Sequence, residues 1–168
     1  MAPFVPCRLR EWGRARVAGR WWKPVRRYRF GWPDHQIVVG DGLELIRATR
    51  RSARYRALTG DPFFVFDSKP LTPQDARVIR FEMRCEATGP LFAQLFWTHS
   101  TDESFSEEKS LQIRIEHQDG SWHEYVVHID QTAARARWDD GDQIHHLRFD
   151  PLNAAGTIEL RELQLCRP

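Results

Sequence analysis

Arg148 and Asp150 stand two residues apart in Leu147-Arg-Phe-Asp-Pro151, a spacing that puts both side chains on one face of a strand. A guanidinium beside a carboxylate offers donors and acceptors in pairs, the arrangement that hydrogen-bonds the hydroxyls of a sugar. Gln94 and Trp97 in Gln94-Leu-Phe-Trp97, and Arg114 within Leu111–Glu116, extend the set. Trp97, Phe96 and Trp122 are the rings available to stack on a pyranose. Alternation adds Arg80, Glu82, Arg84, Gln112, Glu116 and His146 to the same polar side, if one sheet holds all three strands. The competing reading is the solvated side of an antiparallel sheet, tied by cross-strand ion pairs. The polar loop Thr98–Ser110, with Ser104, Ser106, Glu107, Glu108 and Lys109, lies where it can rim a groove.

Other chemistries find less support. There is no GxSxG elbow, no HExxH and no phosphate-cradling glycine loop, and no cysteine sits in a nucleophile motif, so no catalytic residue is assigned and an enzyme is not expected. Of the seven histidines, His145-His146, His123 and His128 cluster, but neighbours on a strand face opposite ways. His145 and His146 would need a bulge to share an ion, so no metal ligand is assigned. Asp139-Asp140-Gly141-Asp142 could hold a structural calcium but lacks the full EF-hand pattern, and an acidic turn is favoured; no cofactor is expected. Cys7, Cys85 and Cys166 form no CxxC pair and read as reduced thiols.

The elements that must position these groups are strands. His145, Leu147 and Phe149 alternate with His146, Arg148 and Asp150, and Pro151 closes the strand because it cannot donate to a ladder. After Gly156, Ile158 and Leu160 share one parity while Leu163 and Leu165 take the other, which predicts a β-bulge near Arg161-Glu162. Ile79, Phe81, Met83 and Cys85 alternate with Arg80, Glu82 and Arg84, and Leu91–Thr98 follows as an apolar strand. Ile37–Val39 and Leu43–Ala48 flank Gly40-Asp41-Gly42 as a hairpin would. Leu111–Glu116 and Glu124–Ile129 flank Asp119-Gly120 in the same way. Phe63–Phe66 suits a strand buried on both faces, and only Thr132–Arg137 looks helical. The expected fold is all-β: an antiparallel β-sandwich over residues 34–168, preceded by a basic, Trp/Arg-rich extension over residues 1–33.

The 168 residues suit one domain that buries a core without disulfides or metal. No apolar run reaches the length of a membrane span and no export signal is evident at the start, so the expected home is cytoplasmic. The net charge of +2 hides an asymmetry: residues 1–60 hold 14 basic and 4 acidic residues, and the remainder 11 and 19. The extension carries Trp12, Trp21, Trp22 and Trp32 with nine basic residues. Such a segment can bind nucleic acid or anionic lipid, but a strand-bearing extension packed on the acidic sandwich, or a partly ordered tail, is favoured and nucleic acid is not the expected partner.

Four segments taken in order resemble the jelly-roll, galactose-binding-like domains found beside bacterial glycosyltransferases and polysaccharide enzymes. They are Gly60-Asp-Pro-Phe-Phe64; Gln94-Leu-Phe-Trp97 with Phe105-Ser-Glu107; Gly120-Ser-Trp-His-Glu-Tyr125; and Leu147–Pro151 with its trailing Gly156-Thr-Ile-Glu-Leu160. The similarity spans roughly residues 43–165 and leaves out the extension. It implies a jelly-roll fold and a non-catalytic carbohydrate-binding or accessory module. Its implied partners are a saccharide or glycan and a glycosyltransferase or other polysaccharide enzyme. Because this sandwich also serves as spacer and interaction domain, a ligand-free protein-interaction or structural module is the alternative, with nucleic-acid or anionic-membrane binding by the basic segment as another.

Overall fold

The structure, a computed structural model, describes residues 22–31, 36–67, 69–141 and 143–167. Eleven strands among these residues form two antiparallel sheets: β1 (Lys23–Arg29), β2 (Ile37–Val39), β3 (Leu43–Ala48), β4 (Ala53–Ala57), β5 (Phe64–Phe66), β6 (Val78–Glu86), β7 (Leu91–His99), β8 (Ser110–Ile115), β9 (His123–His128), β10 (Ile144–Asp150) and β11 (Gly156–Arg167). One sheet runs β3-β4-β11-β6-β9, with β1 also paired to β11; the other runs β2-β5-β10-β7-β8. A one-turn helix, α1 (Arg135–Trp138), lies in the link between β9 and β10. No helix among the described residues is long and apolar enough to cross a membrane.

The core lies between the sheets and is built from the inward parity of each strand. Ile79, Phe81 and Met83 from β6 meet Leu95, Trp97, Leu147 and Phe149 from the facing sheet, all at most 1% exposed. Phe81 stacks on Tyr125 at 4.9 Å and meets Phe149 edge-on at 5.0 Å.

The parity change in β11 is resolved by the expected bulge. Leu160 pairs with Met83 but Leu163 with Phe81, so Arg161-Glu162 is the irregularity, and Ile158, Leu160, Leu163 and Leu165 are all fully buried. The same place is where β11 changes neighbours. Gly156–Leu160 pairs with β4, and Glu162–Arg167 with β1.

Both expected hairpins are corrected. β2 pairs with β5 while β3 pairs with β4 in the other sheet, so Gly40-Asp41-Gly42 is a corner between sheets. A side chain at Gly40 would stand 2.6 Å from the Phe63 ring, which is why that corner needs glycine. Likewise β8 pairs with β7 and β9 with β6, so the Asp119-Gly120 turn also carries the chain across the sandwich. Phe64 and Phe66 are buried while Phe63 and Val65 are half-buried, so β5 has one core face and not two.

Part of the segment before residue 34 joins the sandwich. Lys23–Arg29 is a strand of the first sheet, with Tyr28 and the following Phe30 in the core. A register shift between Pro24 and Arg26 breaks the period of two that would have marked it. Residues 1–21 lie outside the described residues, and with them most of the Trp/Arg-rich extension.

Candidate functional site

The row of charges expected on one face is divided between the two outer faces of the sandwich, because β6 belongs to one sheet and β8 and β10 to the other. On the β6 side, ion pairs satisfy the arginines in place. Arg80 pairs with Glu124 and Glu82, Arg161 donates to Glu82 at 2.9 Å, and Arg84 donates to Glu159 at 2.9 and 2.5 Å. Trp122 is on this side too, with Arg161 and Arg84 over its ring at 4.0 and 5.3 Å. Here the cross-strand ion-pair reading holds.

On the other side, the register lays out rows across the strands. Val38, Val65, Arg148, Phe96 and Ser110 form one row. Asp150, Gln94 and Gln112 form the next, with Phe92 opposite Arg114 beyond it. Four of the five sequence-selected residues, Gln94, Arg114, Arg148 and Asp150, thus meet on one face.

Trp97 does not join them and is corrected. It points into the core with no exposed surface, and its indole faces the Arg137 carbonyl at 3.4 Å. Its neighbour Phe96 faces outward. The rings beside Arg148 are Phe96, at 5.2 Å from the guanidinium carbon, and Phe63, at 4.4 Å. Phe63 and Asp61 come from the link between β4 and β5 and escaped the sequence reading. The Gly60-Asp-Pro-Phe motif was visible, but its register against β10 was not.

Arg148 is the hub of the face. Its Nε and Nη2 donate to the two carboxylate oxygens of Asp150, each at 2.8 Å, and Nη2 also donates to Asp61 at 2.5 Å. Gln94 donates from Nε2 to Glu107 and to the Ser110 hydroxyl, both at 2.8 Å, so the Thr98–Ser110 loop is tied to the face it was expected to rim. Arg114 is exposed, and Arg148 keeps 22% of its side chain in solvent.

Burial pushes the Asp150 carboxyl up, to about 6, against the lowering pull of Arg148. The bonds it donates to Asp150 in turn hold Arg148 more firmly as a cation. Since arginine stays charged throughout the ordinary range, titration of the pair is titration of Asp150. Between its unfolded value of 3.8 and about 6, the folded state keeps a proton that the unfolded state has lost. Raising the pH through that window therefore lowers stability. Urea unfolding of the wild type and Asp150→Asn at pH 4 and pH 6.5 reads this directly. The wild type should lose stability relative to the variant across the interval, and parallel behaviour would refute the assignment. Asp119, held down to about 2 by its bonds from Ser121, titrates below the window.

The histidines are arranged differently from the alternation rule. The β10–β7 register shifts between Ile144 and Leu147, the bulge that His145 and His146 needed, and one ligand atom from each lies within 4.8 Å of the other and of one from Glu103. Asp139 accepts from Arg77 at 2.7 Å and Asp140 lies 3.6 Å from Arg137, while residue 142 is outside the described residues.

No protein-family model matches the chain, and no curated protein matches it. Solved structures do. A mutant of a family 29 carbohydrate-binding module aligns over 84% of this chain and 93% of its own, at 12% identity and a TM-score of 0.54. A family 28 module specific for non-crystalline cellulose aligns over 77% and 86%, at 12% identity and 0.51. A family 6 module from Clostridium stercorarium, solved with cellobiose, aligns over 85% and 94%, at 7% identity and 0.50. The chain therefore has the jelly-roll β-sandwich fold of carbohydrate-binding modules. At these identities the likeness is one of fold.

Proposed function

We propose that the chain is a non-catalytic saccharide-binding module, and that the outer face of the β2-β5-β10-β7-β8 sheet is where the saccharide lies. The observation that carries this is Arg148, set between the Phe63 and Phe96 rings and fixed by Asp61 and Asp150, with Gln94 and Gln112 in the next row. A sugar presents a weakly apolar ring face and a rim of hydroxyls; aromatic rings meet the first, and amides and ion-paired groups the second. Arg114 and Arg148 are offset by Asp61, Glu107 and Asp150, which favours a neutral glycan over an acidic one. The fold supports the reading because modules of this architecture include one specific for non-crystalline cellulose and one solved with cellobiose. An accessory role beside a bacterial polysaccharide or glycoconjugate enzyme, in the cytoplasm, fits within the same proposal.

The test is titration of the full chain against neutral β-linked gluco-oligosaccharides and a broader glycan array. Saturable binding should weaken about tenfold in Arg114→Ala, an exposed position where the fold loses little, and by a similar factor in Arg148→Lys, which keeps the charge and loses the fork. Absence of binding to any neutral or acidic glycan refutes the proposal.

A further inference from the structure

The link from β8 to β9 carries three ligating side chains that the saccharide face does not use. His117, Asp119 and His123 each offer one ligand atom, and the three atoms lie within 4.8 Å of one another. The link leaves one sheet at Ile115 and enters the other at His123, so it closes an edge of the sandwich. Its turn is fixed locally. Gly120 takes a positive φ of 74° and donates its N–H to the Cys85 carbonyl at 3.0 Å. Asp119 accepts the Ser121 N–H at 3.0 Å and its hydroxyl at 2.5 Å. This geometry folds the His117 and His123 rings together, with centroids 3.7 Å apart and planes 12° from parallel.

A second observation also points to a ligand at that cluster. His117 Nε2 is buried with no hydrogen-bond partner. Buried polar atoms without partners are rare, and a bound ion is one of the things that completes them. His123 is itself only 9% exposed, with Nε2 2.7 Å from the Ser121 hydroxyl and 3.5 Å from an Asp119 oxygen. Two imidazoles and one carboxylate form a donor set for zinc and its neighbours in the first transition row, whereas calcium and magnesium prefer oxygen alone.

We propose that the His117–Asp119–His123 corner binds one divalent transition-metal ion of the zinc class, with water in the remaining position. Tetrahedral zinc at about 2.0–2.1 Å from each ligand sets ligand atoms about 3.4 Å apart, so the trio closes by no more than about 1.4 Å. Imidazole lone pairs lie in the ring planes, so the two stacked rings fan open as the ion enters and Ser121 releases His123. The ion then clips the crossover that joins the two sheets. The trio at Glu103, His145 and His146 serves as the contrast: its rings stand 6.2 Å apart at 85°, and neither holds a buried nitrogen without a partner.

The experiment strips the full chain with a chelator and titrates it with zinc alone by calorimetry, with thermal unfolding and cobalt absorption as parallel readings. One zinc-class site that disappears in His117→Gln should be found, a rise in Tm on zinc addition, and tetrahedral cobalt bands. His117→Gln and Asp119→Asn should each weaken binding about tenfold or more, and the His145→Gln/His146→Gln double variant should leave that site unchanged. Asp119 is exposed, so Asp119→Asn decides the matter even if His117→Gln fails to fold. The proposal is overturned by absence of saturable binding, by unchanged affinity in Asp119→Asn, or by binding that vanishes only in the His145/His146 variant.

Discussion

Arg148→Ala is expected to cost about 3 kcal/mol of stability at pH 7, well beyond an ordinary surface substitution. The side chain spans two carboxylates, and removing it leaves Asp150, 11% exposed, facing Asp61 without a cation between them. Deleting one partner of a buried pair commonly costs about 3–5 kcal/mol, because the remaining charge keeps its desolvation penalty. The lower end applies here because Arg148 is partly solvated and Asp61 is exposed. The size should also depend on pH. Asp150 already sits near 6, and without the guanidinium that lowers it the carboxyl climbs further and takes a proton more readily. The loss should therefore shrink at pH 5. Asp150→Asn in the Arg148→Ala background should restore much of the stability by removing the charge that was stranded. Urea unfolding of the two single variants and the double closes the cycle. A double variant less stable than Arg148→Ala alone would show that the pair is held by something other than its mutual charge.

What the residues revealed in advance was which side is wet in the strands that alternate cleanly. Alternation set Ile79, Phe81, Met83 and Cys85 inward, and the parity conflict in β11 located the bulge at Arg161-Glu162. Alternation carries no information about which strand lies alongside. The segments around Asp119-Gly120 have the pattern of a hairpin, yet their strands join opposite sheets, and that split sent Arg80, Glu82 and Arg84 to one outer face and Arg114 and Arg148 to the other. Gln94, Arg114, Arg148 and Asp150 share one face because they come from three strands that are adjacent in one sheet. Phe63 and Asp61 were hidden because their place beside Arg148 depends on the pairing of β5 with β10. Leu91–Thr98 was ambiguous for another reason. Each parity carries a ring, Phe96 outward beside Gln94 and Trp97 in the core beside Leu95, so the presence of an aromatic could not choose between Phe96 and Trp97.

That ambiguity makes Trp97→Ala and Phe96→Ala the informative contrast, with opposite expected outcomes at adjacent positions. Trp97→Ala should cost about 3–5 kcal/mol, the range for truncating a large core aromatic. The indole is wholly buried and meets Trp138 edge-on at 5.0 Å. Trp138 is the anchor of α1, whose four residues form too short a helix to stand by propensity. Its indole nitrogen donates to the Pro73 carbonyl at 3.1 Å, so the loss of Trp97 removes one wall of the seat that holds this segment to the core. Trp97→Phe should restore part of the loss by refilling most of the volume. Phe96→Ala removes a ring that lies under the Arg148 guanidinium on the outer face, so it should cost less stability and weaken glycan binding in protein that remains folded. Chemical unfolding and glycan titration on the same preparations separate the two effects. A Trp97→Ala protein that unfolds like the wild type yet no longer binds glycan would refute the assignment of Trp97 to the core and of Phe96 to the ligand face.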